Sequence, residues 1–161
     1  MKRHGNLHNK VWHIKNILLA EKKARKGKAN SQGVKEHDKR RGCNLITLQN
    51  NLMNLEFTTS KYTTFFIREP KERKIFRLPF YPDRICHHAI MNILEEIWVD
   101  SFTKDTYGCV KGRGIHGALK QLKKDLRNQQ ETTYCLKLDI RKFYPSVNHA
   151  VFKSIVSCKI T

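Results

Sequence analysis

Tyr134-Cys135-Leu136-Lys137-Leu138-Asp139-Ile140 runs directly into Arg141-Lys142-Phe143-Tyr144-Pro145-Ser146-Val147-Asn148-His149. The first block reads as an apolar strand, and Pro145 to Ile155 reads as a final helix or turn. An aspartate therefore stands at the end of a strand, just before an aromatic pair and a helix start. A carboxylate in that position can hold a divalent ion where a phosphate chain can reach it. The plainer alternative is a strand-to-helix turn with a capping aspartate.

Working back toward the N-terminus, a helix is expected from about Ile115. Ile115, Leu119, Leu122 and Leu126 share one of its faces, with Lys120, Lys123, Lys124 and Arg127 elsewhere. It is preceded by a glycine-containing loop, Asp105 to Gly114. Pro82-Asp83 opens an earlier helix whose apolar face is Ile85, Ala89, Ile93, Leu94 and Ile97. Before it, Tyr62–Ile67 and Ile75–Phe80 flank the polar turn Arg68-Glu69-Pro70-Lys71-Glu72-Arg73-Lys74, the pattern of a β-hairpin with a basic tip. Leu45, Leu48, Leu52 and Leu55 predict a short helix with one buried face. Leu7 to Ala24 predicts an amphipathic helix on Val11, Ile14, Leu18 and Leu19, and Asn30-Ser31-Gln32-Gly33 predicts a loop. Helices, a hairpin, helices and a strand give a mixed α+β order.

The chain has 161 residues, enough for one domain or one lobe of a larger protein. Its 39% apolar residues argue against global disorder. Lys and Arg number 32 against 14 acidic residues, for a net charge of +18. The first 41 residues hold 13 of the basic and 3 of the acidic residues, contributing +10. So large an imbalance opposes compaction unless a polyanion is usually bound, which makes nucleic acid the leading partner and an anionic membrane surface the second. Lys22, Lys23, Arg25, Lys26 and Lys28 are candidate RNA-phosphate contacts, against the alternative of a solvated basic helix. No stretch approaches the ~18 consecutive apolar residues of a membrane span, and no signal peptide is evident. Five widely spaced cysteines form no CxxC pair, so reduced thiols in a cytoplasmic protein are expected.

The segment from Leu138 to His149 resembles motif A of reverse transcriptases. Three further segments resemble that family in its own order. Arg68 to Arg84, with the following His87-His88-Ala89, resembles the fingers hairpin and helix of group II intron, retron and diversity-generating enzymes. Tyr107-Gly108-Cys109-Val110-Lys111-Gly112-Arg113-Gly114-Ile115-His116-Gly117-Ala118-Leu119 resembles the family's second block. The resemblance covers about residues 40 to 155. It implies a basic extension over residues 1–42, a fingers region over 43–132 and the start of a polymerase palm over 133–161.

It also implies roles. Asp139 and the carbonyl of Ile140 would bind catalytic Mg²⁺, and Tyr144 would exclude a ribonucleotide's 2′-hydroxyl. Lys71 and Arg73 would neutralise the incoming deoxynucleoside triphosphate, whereas Lys74 is better read as a solubilising charge. Gly112, Arg113 and Gly114 would let the backbone approach an RNA template paired with a DNA primer, and a helix N-terminus offers N–H groups to phosphate. His116 stands equally as a template contact or as a helix-start side chain. Adjacent His87 and His88 point to different faces of a helix, so joint metal ligation is not expected.

The family's Tyr-x-Asp-Asp carboxylates do not occur in these residues, and no Asp or Glu follows Asp139. One carboxylate cannot hold two divalent ions. The expectation is a truncated or split polymerase, inactive alone and completed by a longer reading frame or a second chain. The alternative is a non-catalytic RNA-binding protein derived from such an enzyme.

Overall fold

The computed structural model describes residues 3–161, which divide into two compact units. One is Gly5–Glu96; the other is Ile97–Thr161 joined by Arg3 and His4. The fold is mixed: helices with one two-stranded antiparallel sheet, as the sequence led us to expect.

In Gly5–Glu96, α1 (His8–Trp12) and α2 (Ile14–Arg25) replace the single expected helix. His13 is extended between them, and its Nδ1 accepts the Lys15 N–H at 3.3 Å, capping α2. The buried face of α2 is Ile17, Ala20, Glu21 and Ala24, not Ile14, Leu18 and Leu19; Leu18 and Leu19 are exposed. Alanines allow closer helix approach than leucines, and a carboxylate sits among them. A reading that weighs large apolar side chains therefore chooses the wrong stripe.

The expected loop ends at Ser31, because Gln32 and Gly33 open α3 (Gln32–Asp38). A β-carbon on Gly33 would lie 3.1 Å from the Phe80 β-carbon, so a hydrogen there lets the two segments meet. In α4 (Arg41–Met53), Leu45, Leu48 and Leu52 are buried as predicted. Leu55 is not; it lies past the helix end at φ 60°, exposed, in a region L-residues enter at a cost. Strands β1 (Thr63–Ile67) and β2 (Arg73–Arg77) pair in register from Thr63 opposite Arg77 to Ile67 opposite Arg73.

Beyond β2, a wide turn over Phe80–Arg84 leads into α5 (Ile85–Val99). Asp83 is fully buried, and its Oδ1 accepts the Ser60 N–H at 3.0 Å, fastening the entry to β1 onto the turn after β2. Asn16 donates to the carbonyls of Val11 and Ala89 and accepts from Asn92, tying α2 to α5. Ile17, Val34, Leu48, Phe80, Ile85 and Ala89 belong to one contiguous core. Helices α2 and α4 both contribute to that core.

In Ile97–Thr161, α6 (Ile115–Asp125) follows a loop closed by Arg113, whose guanidinium donates to the Thr103 carbonyl at 2.8 Å. The strand expected over Tyr134–Ile140 does not form: no ladder pairs these residues, and Leu136 and Leu138 are each 81% exposed. An alternating apolar pattern becomes a strand only when a neighbour takes its backbone hydrogen bonds. Asp139 accordingly lies in an unpaired segment rather than at a strand terminus. Lys142 takes a left-handed conformation ahead of α7 (Phe143–Ser146). Asn148 caps α8 (His149–Ser157) by accepting from the Ala150 and Val151 N–H groups. His4 forms a parallel bridge to Ile160.

Candidate nucleic-acid interface

The basic run of α2 separates into two kinds of cation. Arg25 is held inside the fold: its guanidinium bonds Asp38 through both terminal nitrogens, at 3.0 and 2.6 Å, and Glu21 at 2.6 Å. Arg41 makes a two-pronged contact with the same Glu21. Glu21 is buried, which by itself would raise its pKa. Hydrogen bonds and charge from Arg41 and Arg25 outweigh that and bring it down to about 2. His37 completes the cluster. Its Nδ1 faces the Asn44 amide nitrogen at 3.1 Å, which places the ring proton on Nε2, 3.3 Å from Glu21 in an off-axis contact. Burial lowers the His37 pKa more than Glu21 raises it, so the ring is neutral at pH 7. Arg25 is thus spent on architecture, while Lys22, Lys23, Lys26 and Lys28 are exposed and form no ion pair among the described residues.

Lys28 lines a cleft of about 590 Å³ with Lys61, Arg77 and Arg84 at the base of the hairpin. Glu36 is its one carboxylate, and Gln32 already donates to it at 2.9 Å. None of the four cations makes a side-chain hydrogen bond or ion pair among the described residues. An adjoining cleft shares Arg77 and Arg84 and adds Tyr62, Phe65 and Phe76. Tyr62 meets Phe76 edge-to-face at 6.1 Å, and Lys74 lies 5.4 Å above the Phe76 ring. Free cations beside exposed aromatic rings suit phosphates and bases of a single strand.

Lys61 was not anticipated, because a lone lysine before a strand carries no signal. Arg77 and Arg84 were visible as residues, but only the wide turn at Phe80–Arg84 brings them to one cleft. Lys71 is exposed in the hairpin turn and Arg73, also exposed, opens β2.

In the other unit, Gly112 takes φ 77° in the turn and Gly114 is extended at the N-cap of α6. Arg113 braces this loop through Thr103, and His116 stands exposed in the first turn of α6. Asp139, Ile140 and Tyr144 are all exposed. Among the described residues no group of three or more His, Cys, Asp or Glu could hold a metal. The interior thiol, Cys86, is pushed up to about 11 by burial and by Asp83 and is a packing group. No helix among the described residues is long and apolar enough to cross a membrane.

No family model matches the chain. Among curated proteins it is similar to Protein YkfC of Escherichia coli (strain K12), 27% identical over 86 residues. That stretch covers 52% of this chain and 23% of YkfC, so the chain spans about a quarter of that relative's length. The name states no activity.

Proposed function

We propose that this chain is the N-terminal part of an RNA-directed DNA polymerase, contributing template and nucleotide contacts. The observation that carries the reading is the succession along the chain of three exposed features. They are a basic hairpin bearing Lys71 and Arg73, a Gly112–Gly114 loop leading into a cationic helix, and Asp139 three residues before the left-handed Lys142 that leads into Phe143-Tyr144. Lys71, Arg73, His116, Asp139 and Tyr144 are exposed to solvent, whereas Arg113 braces its loop.

In this reading the exposed lysines of α2 and the hairpin cleft hold RNA phosphates. Lys71 and Arg73 offset the charge of a deoxynucleoside triphosphate. Tyr144 occludes the space of a ribose 2′-hydroxyl, so Tyr144→Ala in a completed enzyme should admit ribonucleotides while keeping deoxynucleotide incorporation. The remaining acidic ligands for Mg²⁺ are proposed to come from sequence beyond these residues, in the same or a second chain.

The test is RNA binding by the chain across a salt series. Replacing Lys22, Lys23, Lys26 and Lys28 with Gln should weaken binding and flatten the log–log salt slope by about 0.7 per lost contact with single-stranded RNA. An unchanged slope would remove the N-terminal segment from the interface.

A further inference from the structure

The lysines of α6 share one face. Lys120 lies three and four residues from Lys123 and Lys124, His116 stands one turn before Lys120, Arg127 follows in the turn just past the helix end, and with Tyr107 these residues line a cleft of about 640 Å³. Residues at that spacing are neighbours on a helix, and like charges there oppose helix formation. A solvated helix ordinarily relieves such repulsion with interspersed acids. Here Asp125 is the only carboxylate in the helix, and Gln121 already donates to it at 2.8 Å. None of the five basic side chains makes a hydrogen bond or ion pair among the described residues.

The Tyr107 ring lies 3.7 Å from where a β-carbon on Gly117 would sit, within ordinary contact distance of the first turns of α6. An aromatic face thus stands at one end of the row of cations. From Lys120 to Arg127 the row runs roughly 10 Å at about 1.5 Å per residue. That length matches several charges of a nucleic-acid strand carrying one per ~3.4 Å.

We propose that this face of α6 is a second nucleic-acid site, in which Lys120, Lys123, Lys124 and Arg127 track the phosphates of a single strand and Tyr107 stacks on a base. The inference rests on the RNA-binding reading above but concerns different residues. It requires nothing of Asp139 or of the α2 lysines. Contacts of this kind go to the backbone, so the site is indifferent to base sequence.

The experiment measures anisotropy of a fluorescein-labelled 20-nucleotide oligouridylate against the full chain and a variant carrying Lys120→Gln, Lys123→Gln, Lys124→Gln and Arg127→Gln. The expected result is a salt slope shallower by roughly 2 to 3, with at least tenfold weaker binding at low salt. A companion variant with the three lysines changed to Arg should keep the wild-type slope. A 4-thiouridine-substituted oligonucleotide should crosslink to wild-type peptides spanning residues 107–127, a readout independent of how the variants fold. Wild-type binding with an unchanged slope, or crosslinks confined to other segments, overturns this site and leaves the proposed function standing. Failure of the wild-type chain to bind the oligonucleotide at all overturns both.

Discussion

Gly5–Glu96 and Ile97–Thr161 carry similar kinds of apolar residue and use them differently. In the first, α2, α3, α4 and α5 converge on one core, and even the carboxylate of Glu21 is buried, bonded by two arginines that reach water. In the second, Val110 is the buried apolar side chain, while Ile115, Leu122, Leu136, Leu138, Phe152 and Ile155 face solvent. Local sequence suffices for helices α6 and α8, the second of which Asn148 caps. It does not suffice for Tyr134–Ile140, which needs a backbone partner as well as a pattern. The core belongs to one region, and the proposed chemistry is divided between that region's hairpin and the exposed segments of the other.

The largest expected effect that could break this contrast comes from core truncation. Leu48→Ala should cost about 3 kcal/mol of stability, from lost burial plus the cavity left behind. Leu138→Ala, at a side chain already in water, should change stability by less than ~0.5 kcal/mol. Urea-denaturation midpoints of the two variants measure the difference. Equal losses would mean that Tyr134–Ile140 packs in solution.

Next in size is the ionic cluster. Glu21→Gln keeps the side-chain shape but leaves Arg25 and Arg41 without their shared carboxylate, and about 2 kcal/mol of destabilisation is expected. The loss is moderated because both arginines retain access to water, and Arg25 keeps Asp38. A midpoint shift indistinguishable from that of an exposed Glu72→Gln control would dismiss the cluster as a structural feature.

The cluster also predicts a direction with pH. Glu21 holds its proton less tightly folded than unfolded, with a pKa of about 2 against an ordinary 4.5. Its contribution is present above 4.5 and is lost as pH falls from there toward 2. His37 is also depressed, from an ordinary 6.5, so the folded state resists its protonation and stability begins to fall below that pH. Urea midpoints measured at pH 7, 5 and 3 should decline in that order, and Glu21→Gln should remove most of the decline between 5 and 3. A flat profile would contradict the cluster's assigned protonation states.

Much of the fold was legible in the sequence where one segment decided its own structure. The hairpin followed from two β-prone runs around Pro70, α5 from Pro82-Asp83 and its apolar spacing, and α6 from its start at Ile115. What failed depended on partners distant in sequence. The buried stripe of α2 is set by what Ala20 and Ala24 allow α4 to approach, which Leu18 and Leu19 obscured. Glu21 looked like a break in a basic run rather than the centre of a cluster, because its partners Arg41 and His37 lie on later elements. Leu55 fitted the spacing of α4, but the helix closes before it. Of the candidate interface, Lys22, Lys23, Lys26, Lys28 and Lys71 and the hairpin arginine could be named from sequence, but Lys61 could not. The cleft joining Lys28, Lys61, Arg77 and Arg84 could not, since it exists only where the wide turn brings them together.

The central claim is that Asp139 belongs to a polymerase motif, and template-directed synthesis tests it most directly. The chain is supplied with a palm carrying the Tyr-x-Asp-Asp carboxylates, as a fusion or a second chain, and primer extension on an RNA template is followed with Mg²⁺ and deoxynucleotides. The account predicts no synthesis by the 161-residue chain alone and synthesis on completion. It also predicts loss of at least a thousandfold in completed Asp139→Asn, since removing a charged ligand at such a centre is not a graded effect. Full activity of completed Asp139→Asn, or robust synthesis by the chain alone, would contradict it.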